Sequence, residues 1–160
     1  MKAKKISDSQ VIMHELVLPN DANRLGNVLG GRVMHLMDIC AAMSAYKHTR
    51  SHVVTASVDQ LNFLAPAKKG DIMILKSSVN YVSNTSMEVG VKIHSEDPMT
   101  GEINHTASAY LTFVSLDRNG KPKKVPSLTT ENEEQRKWNK EGEKRSQQRK
   151  KLLEELRSDV

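Results

Sequence analysis

One segment constrains the fold of this 160-residue chain more than any other: residues 31–49, GRVMHLMDICAAMSAYKHT, which predict a helix of about five turns. The segment contains no proline and is rich in alanine and methionine. Its apolar side chains occur nearly all round the helix axis rather than along one stripe. Because such a helix is typical of a buried position, we expect the rest of the chain to cover it on every side.

Most of the remaining sequence predicts strands, because β-branched residues and partial alternation of apolar and polar residues recur in it. Short turn sequences at residues 83–85 and 97–101 predict hairpins, and therefore antiparallel pairing. One antiparallel sheet curled round one long central helix satisfies both observations; this α+β arrangement is the hotdog fold. Open edge strands in such a sheet favour edge-to-edge dimerisation. The predicted strands are residues 10–18, 51–59, 71–82, 86–96 and 103–117.

The chain changes character after residue 126. Residues 131–158 are rich in charged residues and glutamine, and their only large apolar residues are Trp138, Leu152, Leu153 and Leu156. We predict a hotdog domain over residues 1–126 and a charged helical C-terminal tail over residues 127–160, packed on the body of the protein or on a neighbouring subunit. Mixed charge makes the tail a weak track for phosphates, so no nucleic-acid partner is expected.

Composition excludes several classes of protein. The net charge of +5 favours an anionic partner without selecting one. A single cysteine, Cys40, excludes a disulfide framework and a cysteine-rich zinc site, and the six histidines show no metal-ligand spacing, so no metal is expected. No apolar run is long enough for a transmembrane helix, and residues 1–10 lack the apolar core of a signal peptide. These features predict a cytoplasmic protein with no membrane partner.

Asp38 is the residue that most suggests chemistry, because it lies between Met37 and Ile39 in the middle of the apolar helix. An ionised carboxylate is costly to desolvate unless it is paired. A structural interpretation places Asp38 on a narrow polar seam with His35, one turn earlier. We favour a functional interpretation, a general base, because a buried helix gains no stability from an acid.

The loop before the helix supplies complementary groups. Gly30 and Gly31 immediately precede the predicted helix, whose free N–H groups and positive dipole end can hold a carbonyl oxygen. A carbonyl polarised there, with the carboxylate of Asp38 two turns further along, is a workable arrangement for acyl transfer. Asn23 lies in the same loop, where both a turn-forming role and a catalytic role stay open.

Several blocks of the sequence, taken in order, resemble the acyl-CoA thioesterases of the hotdog superfamily, in the branch of the cytosolic acyl-CoA hydrolases. The resemblance covers about residues 10–126. It implies a role in fatty acid metabolism: hydrolysis of a fatty acyl-CoA to the free acid and CoA, with no cofactor besides the CoA of the substrate. The blocks are residues 21–31, 33–38, 53–59, 62–63, 66, 70–71, 97–102, 109–114 and 120–126.

The resemblance also implies a site and an assembly. Asn23 and Asp38 match the family's catalytic pair, which meets across a dimer interface with one residue from each subunit. Gly30 and Gly31 would bind the thioester carbonyl, and Asp38 would act either as a general base on water or as a nucleophile. A homodimer would be the minimal active unit, and three dimers are expected to form a homohexamer.

Two other functions stay open. Some hotdog domains bind acyl-CoA without hydrolysing it and regulate a partner, although residues 1–10 are too short for a DNA-binding helix-turn-helix. Others are dehydratases or hydratases that use a histidine paired with an acid, and His35 near Asp38 keeps that function possible.

Overall fold

A computed structural model describes residues 1–159; Val160, the last residue of the predicted tail, lies outside the described residues. Two short 3-10 turns, Ile6–Ser9 and Pro19–Asp21, flank the first long strand. The strands and helices in chain order are β1 (Lys4–Lys5), β2 (Val11–Leu16), α1 (Gly30–Thr49), β3 (His52–Phe63), β4 (Ile72–Val82), β5 (Ser86–Glu96), β6 (Ile103–Leu116), β7 (Leu128–Thr129) and α2 (Glu133–Ser158).

Five strands form one antiparallel sheet in the order β2-β4-β5-β6-β3, and α1 packs on one face of it. β1 and β7 form a separate parallel pair. The predicted hotdog fold and the C-terminal helix are therefore confirmed. β3 runs to Phe63, beyond its predicted end at residue 59, because register shifts after Thr55 and after Asp59 let the strand continue along β6.

α1 is covered on one side only within a single chain. Val33, Leu36 and Met37 belong to the buried core, whereas Ile39 and Met43 are exposed. The expectation of burial on every side is therefore wrong for one chain. The physical reason is that five strands curl round only part of the helix, so its remaining apolar surface needs cover from elsewhere.

α2 lies on the face of the sheet that points away from α1, here called the outer face. On β4, the Asn80 carbonyl oxygen accepts a hydrogen bond from the Asn139 side chain of α2 at 3.0 Å. Gly142 then approaches β4 so closely that a Cβ there would lie 2.7 Å from the Cβ of Tyr81. Only glycine allows this distance, so the residue type at this position determines how tightly the helix docks.

Two arginines of α2 pair with acids of the sheet. Arg145 donates to both carboxylate oxygens of Glu88 on β5 at 2.7–3.1 Å, and its guanidinium lies 3.5 Å from the ring centre of Tyr110 on β6. Arg149 donates to Asp59 on β3 at 2.8 Å. Glu88 is 1% exposed; burial raises the pKa of its carboxyl, and the Arg145 guanidinium opposes that rise.

Replacing Arg145 tests how far this buried ion pair holds the tail to the sheet. Arg145→Met leaves the Glu88 carboxylate buried without its cation, which should lower the free energy of unfolding by about 3–5 kcal/mol. The double variant Glu88→Met/Arg145→Met should recover most of that loss, because no charge is then stranded. Urea denaturation at a fixed protein concentration measures all three proteins.

The matched control is Lys137→Met, which removes the exposed helix pair with Glu141. Its expected cost is about 0.5 kcal/mol. If Arg145→Met cost no more than this control, the buried pair would not be what anchors α2.

Candidate active site

Asn23 lies ahead of α1 in a short loop, residues 21–29, that is closed by its own backbone hydrogen bonds. The Asn23 N–H donates to the Asn27 carbonyl oxygen at 2.8 Å, and the Leu29 N–H donates to the Asp21 carbonyl oxygen at 2.8 Å. Gly26 has φ +81°, a left-handed conformation that lets its N–H close the turn on the Asn23 carbonyl oxygen at 3.0 Å. The neighbouring segment ties the loop down from outside, because the Val28 N–H donates to the Ala67 carbonyl oxygen at 2.8 Å.

The side chain of Asn23 is oriented by that loop. Its Oδ1 accepts from the backbone N–H groups of Leu25 at 2.9 Å and Asn27 at 3.2 Å. Its Nδ2 makes no hydrogen bond within residues 1–159, and the residue is exposed. The turn-forming and catalytic interpretations are thus compatible: the oxygen forms the turn, and two N–H donors stay available for a ligand.

The N-terminus of α1 is open. Gly30 and Gly31 are its first two residues, and in the described part of the chain their N–H groups have no acceptor and no side chain caps the helix. Neither glycine has a positive φ, and a Cβ would meet only the Phe63 ring, at 3.5 Å from position 30, and nothing within 4 Å from position 31. The fold therefore does not require glycine at either position, and the bare backbone leaves two donors accessible.

A cavity of about 390 Å³ adjoins this helix end. Its walls are mostly apolar, and they are formed by the end of the 21–29 loop, the start of α1 and the end of β3. An apolar chain attached to a group held at the helix N-terminus fits such a lining. The lining includes Val28, Gly30, Val33, Phe63, Leu64 and Ala65.

Asp38 is half-buried and faces β3. The Thr55 hydroxyl donates to its Oδ1 at 2.6 Å, and its Oδ2 has no hydrogen-bond partner among the described residues. His35 is exposed and forms no hydrogen bond with Asp38 in the part of the chain that the structure describes, so the polar seam considered from the sequence is not formed.

Sequence reasoning missed Thr55. Strict alternation along β3 would place Thr55 on the same face as Ser57 and Asp59. The bulge at Ala56 reverses that alternation, so that Thr55 pairs with the core residue Phe113 and faces α1. No local sequence signal marks the bulge.

Within one chain, the structure does not bring the predicted site residues into one cluster. Gly30 and Gly31 adjoin the loop of Asn23, whereas Asp38 lies eight residues along the helix, roughly 12 Å from Gly30. The hydrogen bonds of Asn23 all stay inside its loop, and that of Asp38 goes to β3. The predicted site residues of one chain therefore lie in two separate places.

Among residues 1–159, no three His, Cys, Asp or Glu side chains converge closely enough to hold a metal ion. Neither α1 nor α2 is both long and apolar enough to cross a membrane.

Comparison with known proteins decides the family. Residues 25–102 match the profile of the thioesterase superfamily. The acyl-CoA thioester hydrolase YkhA of Bacillus subtilis is 43% identical over 128 residues, which are 80% of this chain and 74% of that protein. The chain belongs to the acyl-CoA thioester hydrolases. The cytosolic acyl coenzyme A thioester hydrolase of mouse is 38% identical over 143 residues, 88% of this chain but 37% of the mouse protein. The predicted family is confirmed.

Solved structures agree with this family. A crystal structure of an apo-hexameric acyl-CoA thioesterase superposes with a TM-score of 0.92 and 39% identity, covering 96% of this chain and 98% of that one. An acyl-CoA hydrolase of Staphylococcus aureus, solved with butyryl coenzyme A, coenzyme A and coenzyme A disulfide, has a TM-score of 0.91 and 36% identity, with 98% and 96% covered. Three further structures of the S. aureus enzyme are alanine variants of an asparagine, an aspartate and a threonine.

Proposed function

We propose that this protein hydrolyses fatty acyl-CoA thioesters to a free fatty acid and CoA, at sites shared between two protomers. Each site takes Asn23 and the open helix N-terminus from one protomer and Asp38 from its partner. The observation that carries the proposal is the Asp38 carboxylate, which lies half-buried on an apolar helix with one oxygen held by Thr55. A carboxylate fixed in this way is suited to accept a proton from water.

The S. aureus variants support these assignments. Their asparagine, aspartate and threonine are separated by 15 and 17 positions along that chain. Asn23, Asp38 and Thr55 have the same two separations in this chain. We therefore add Thr55 to the proposed site as the residue that positions Asp38.

Distance supports a site built from two chains. A reacting carbonyl must lie within about 3 Å of both its hydrogen-bond donors and the attacking group. Gly30 and Asp38 of one chain are too far apart along α1 to meet that condition. The unpaired edge of β3 and the exposed side chains of Ile39 and Met43, which flank Asp38 on α1, offer a surface for a second copy.

The proposed mechanism follows from the hydrogen-bonding state of each group. The N–H groups of Gly30 and Gly31 and the Nδ2 of Asn23 donate to the thioester carbonyl oxygen, on which negative charge develops. Water attacks the carbonyl carbon as the partner's Asp38 takes its proton, or Asp38 attacks first and water hydrolyses the acyl-enzyme. The carbon–sulfur bond then breaks, and CoA leaves as a thiolate that is protonated by solvent.

A chain-length series of acyl-CoA substrates in a free-thiol assay tests the activity. Release of one thiol and one fatty acid per substrate is expected. Saturable binding without thiol release would instead indicate a regulatory acyl-CoA-binding protein, and a β-hydroxyacyl thioester product would indicate a hydratase. Cys40 should add little background, because it is buried and burial raises the pKa of its thiol.

We also propose an assembly and a location. Three dimers would form a hexamer, which is supported by the likeness to a thioesterase described as hexameric. A cytosolic location is proposed because the mammalian relatives are named cytosolic hydrolases.

The proposed reaction needs no cofactor, because the thiolate is already a good leaving group. Neither a nucleic acid nor a membrane takes part in it.

Mixing two inactive variants tests whether the site is shared. Asn23→Ala and Asp38→Asn should each lower kcat by about 10²–10³-fold, because each removes a group that acts on the transition state. In a mixed dimer one site carries both substitutions and the other carries neither. Equal mixing should therefore restore about a quarter of wild-type activity if subunits exchange freely.

Sedimentation velocity of each variant is the control for intact assembly. If the mixture stayed as inactive as its components although subunit exchange was verified, each site would belong to a single chain.

A conservative pair of variants tests the role of Thr55. Thr55→Val keeps the shape but removes the hydroxyl that holds Asp38, a hydrogen bond to a charged group of about 1.5–3 kcal/mol. We expect kcat to fall about 10–100-fold, with KM little changed. Thr55→Ser should restore most of the activity. Equal activities of the valine and serine variants would remove Thr55 from the site.

The helix N-terminus is tested by adding one methyl group. Gly31→Ala puts a Cβ into open space above the free N–H groups, where the substrate carbonyl is proposed to lie. Folding stability should rise by up to about 1 kcal/mol, because alanine is the better helix former. Turnover should fall at least tenfold. Thermal denaturation and thiol release measure the two effects, and a stabilised variant with full activity would show that no substrate approaches this backbone.

A further inference from the structure

α2 crosses its own sheet one strand at a time. Asn139 contacts β4, Arg145 contacts β5 and β6, and Arg149 contacts β3. From Asn139 to Arg149 the helix rises roughly 15 Å. Three strand spacings measure roughly 14 Å. α2 therefore runs across the strands, and its Arg149 side chain reaches the edge strand.

The helix continues after its own sheet has ended. β3 is the edge strand, and its only neighbour among the described strands is β6. Beyond Arg149, α2 extends nine more residues to Ser158, which is roughly 13 Å. This terminal segment, residues 150–158, passes the edge of the sheet.

The sheet-facing side of α2 changes chemistry at that edge. Over its own sheet this side carries Gly142, Ser146 and Arg149. Leu153 and Leu156 follow Arg149 by four and seven residues, so they continue the same side of the helix. They are 44% and 62% exposed in the single chain. This side thus carries small and polar residues from Gly142 to Arg149 and leucines beyond the edge.

The remaining residues of the terminal segment make it amphipathic. Leu152 flanks Leu153 and Leu156, and it is also exposed. Lys151 and Glu154 lie toward the opposite side of the helix. Three exposed leucines at this spacing are typical of a helix that packs against another protein surface.

We propose that the terminal segment of α2 crosses the dimer boundary and packs its leucines on the outer face of the partner subunit. The inference rests on the shared-site dimer proposed above, and it takes the partner's β3 to continue the sheet beside the unpaired edge of β3. At roughly 4.8 Å per strand, the segment is long enough to lie over two or three strands of the partner. Because the dimer has two-fold symmetry, the terminal segment of each subunit would pack on the outer face of the other.

The position of the leucines on α2 indicates that the surface they pack on belongs to a second copy of this chain. The leucines begin directly after the last contact with β3, on the side of the helix that already faces the sheet. A continued sheet is the surface that this side meets next, whereas a different partner would have to bind at the same edge that the second copy occupies.

Photo-crosslinking in the full-length protein tests the proposal directly. Leu153 is replaced by the photoreactive residue p-benzoylphenylalanine, and Lys151 is replaced in a control. Isotopically light and heavy chains are mixed so that crosslinks between chains are recognised by mass spectrometry. Position 153 should crosslink to peptides that contain β3 or α2 of the other chain, and position 151 should not.

The other outcomes overturn the inference. Crosslinks from position 153 within one chain only, or the absence of any, would mean that the segment does not cross. Crosslinks to β2, at the far edge of the sheet, would assign the segment to a contact between dimers. An active dimer with any of these patterns contradicts this inference and leaves the proposed function intact, whereas a protein that is monomeric at every concentration contradicts both.

A paired set of variants provides a second measurement. Leu153→Asn/Leu156→Asn removes the apolar contact, and Lys151→Asn/Glu155→Asn introduces the same residue twice on the other side of the helix. The first variant should raise the dissociation constant of the dimer at least tenfold in sedimentation experiments, and the second should leave it within twofold. Both should fold normally, since all four side chains are exposed in the single chain. Equal dissociation constants would refute the crossing.

Discussion

The sheet of this protein reaches round only one side of α1, and the side left open carries Ile39 and Met43 next to Asp38. Apolar surface in water costs about 25 cal/mol per Å², and the unpaired edge of β3 adds a row of backbone groups that need partners. Both demands arise on neighbouring surfaces, because Thr55 of β3 bonds directly to Asp38 of α1. The second copy of the chain proposed above would meet both demands at once, and in doing so it would close over the proposed catalytic acid.

The two groups of proposed site residues differ in how they are held rigid. Asn23 and the helix N-terminus are held by backbone hydrogen bonds inside a short loop, so their donors point where the loop directs them. Asp38 is held by its helix and by one hydroxyl from a strand. Donors and acceptors fixed before the substrate arrives need no reorganisation during the reaction, which is the main source of electrostatic catalysis. The amide of Asn23 can only donate, because its oxygen is already used twice.

Local patterns in the sequence were sufficient for much of the fold. The predicted helix over residues 31–49 and the strands at 71–82, 86–96 and 103–117 differ from the observed bounds by no more than one residue, because apolar periodicity and turn residues act over short distances. The features that the sequence did not reveal depend on distant parts of the molecule. The bulge at Ala56, which turns Thr55 toward Asp38, and the buried pair of Glu88 with Arg145 both depend on contacts between remote segments. The open side of α1 depends on how far the five-stranded sheet curls round the helix. The boundary between domain and tail at residue 126 stays a prediction.

Gly142 has a further effect on the behaviour of the tail. It stands near the middle of α2, where glycine weakens an isolated helix by about 1 kcal/mol relative to alanine, and the rest of the helix is highly charged. The close approach to Tyr81 that this glycine allows is available only on the sheet. Helical structure and attachment are therefore coupled, because the contact made on the sheet offsets the cost of the central glycine. A detached tail would expose its central backbone to a protease more readily than a docked one.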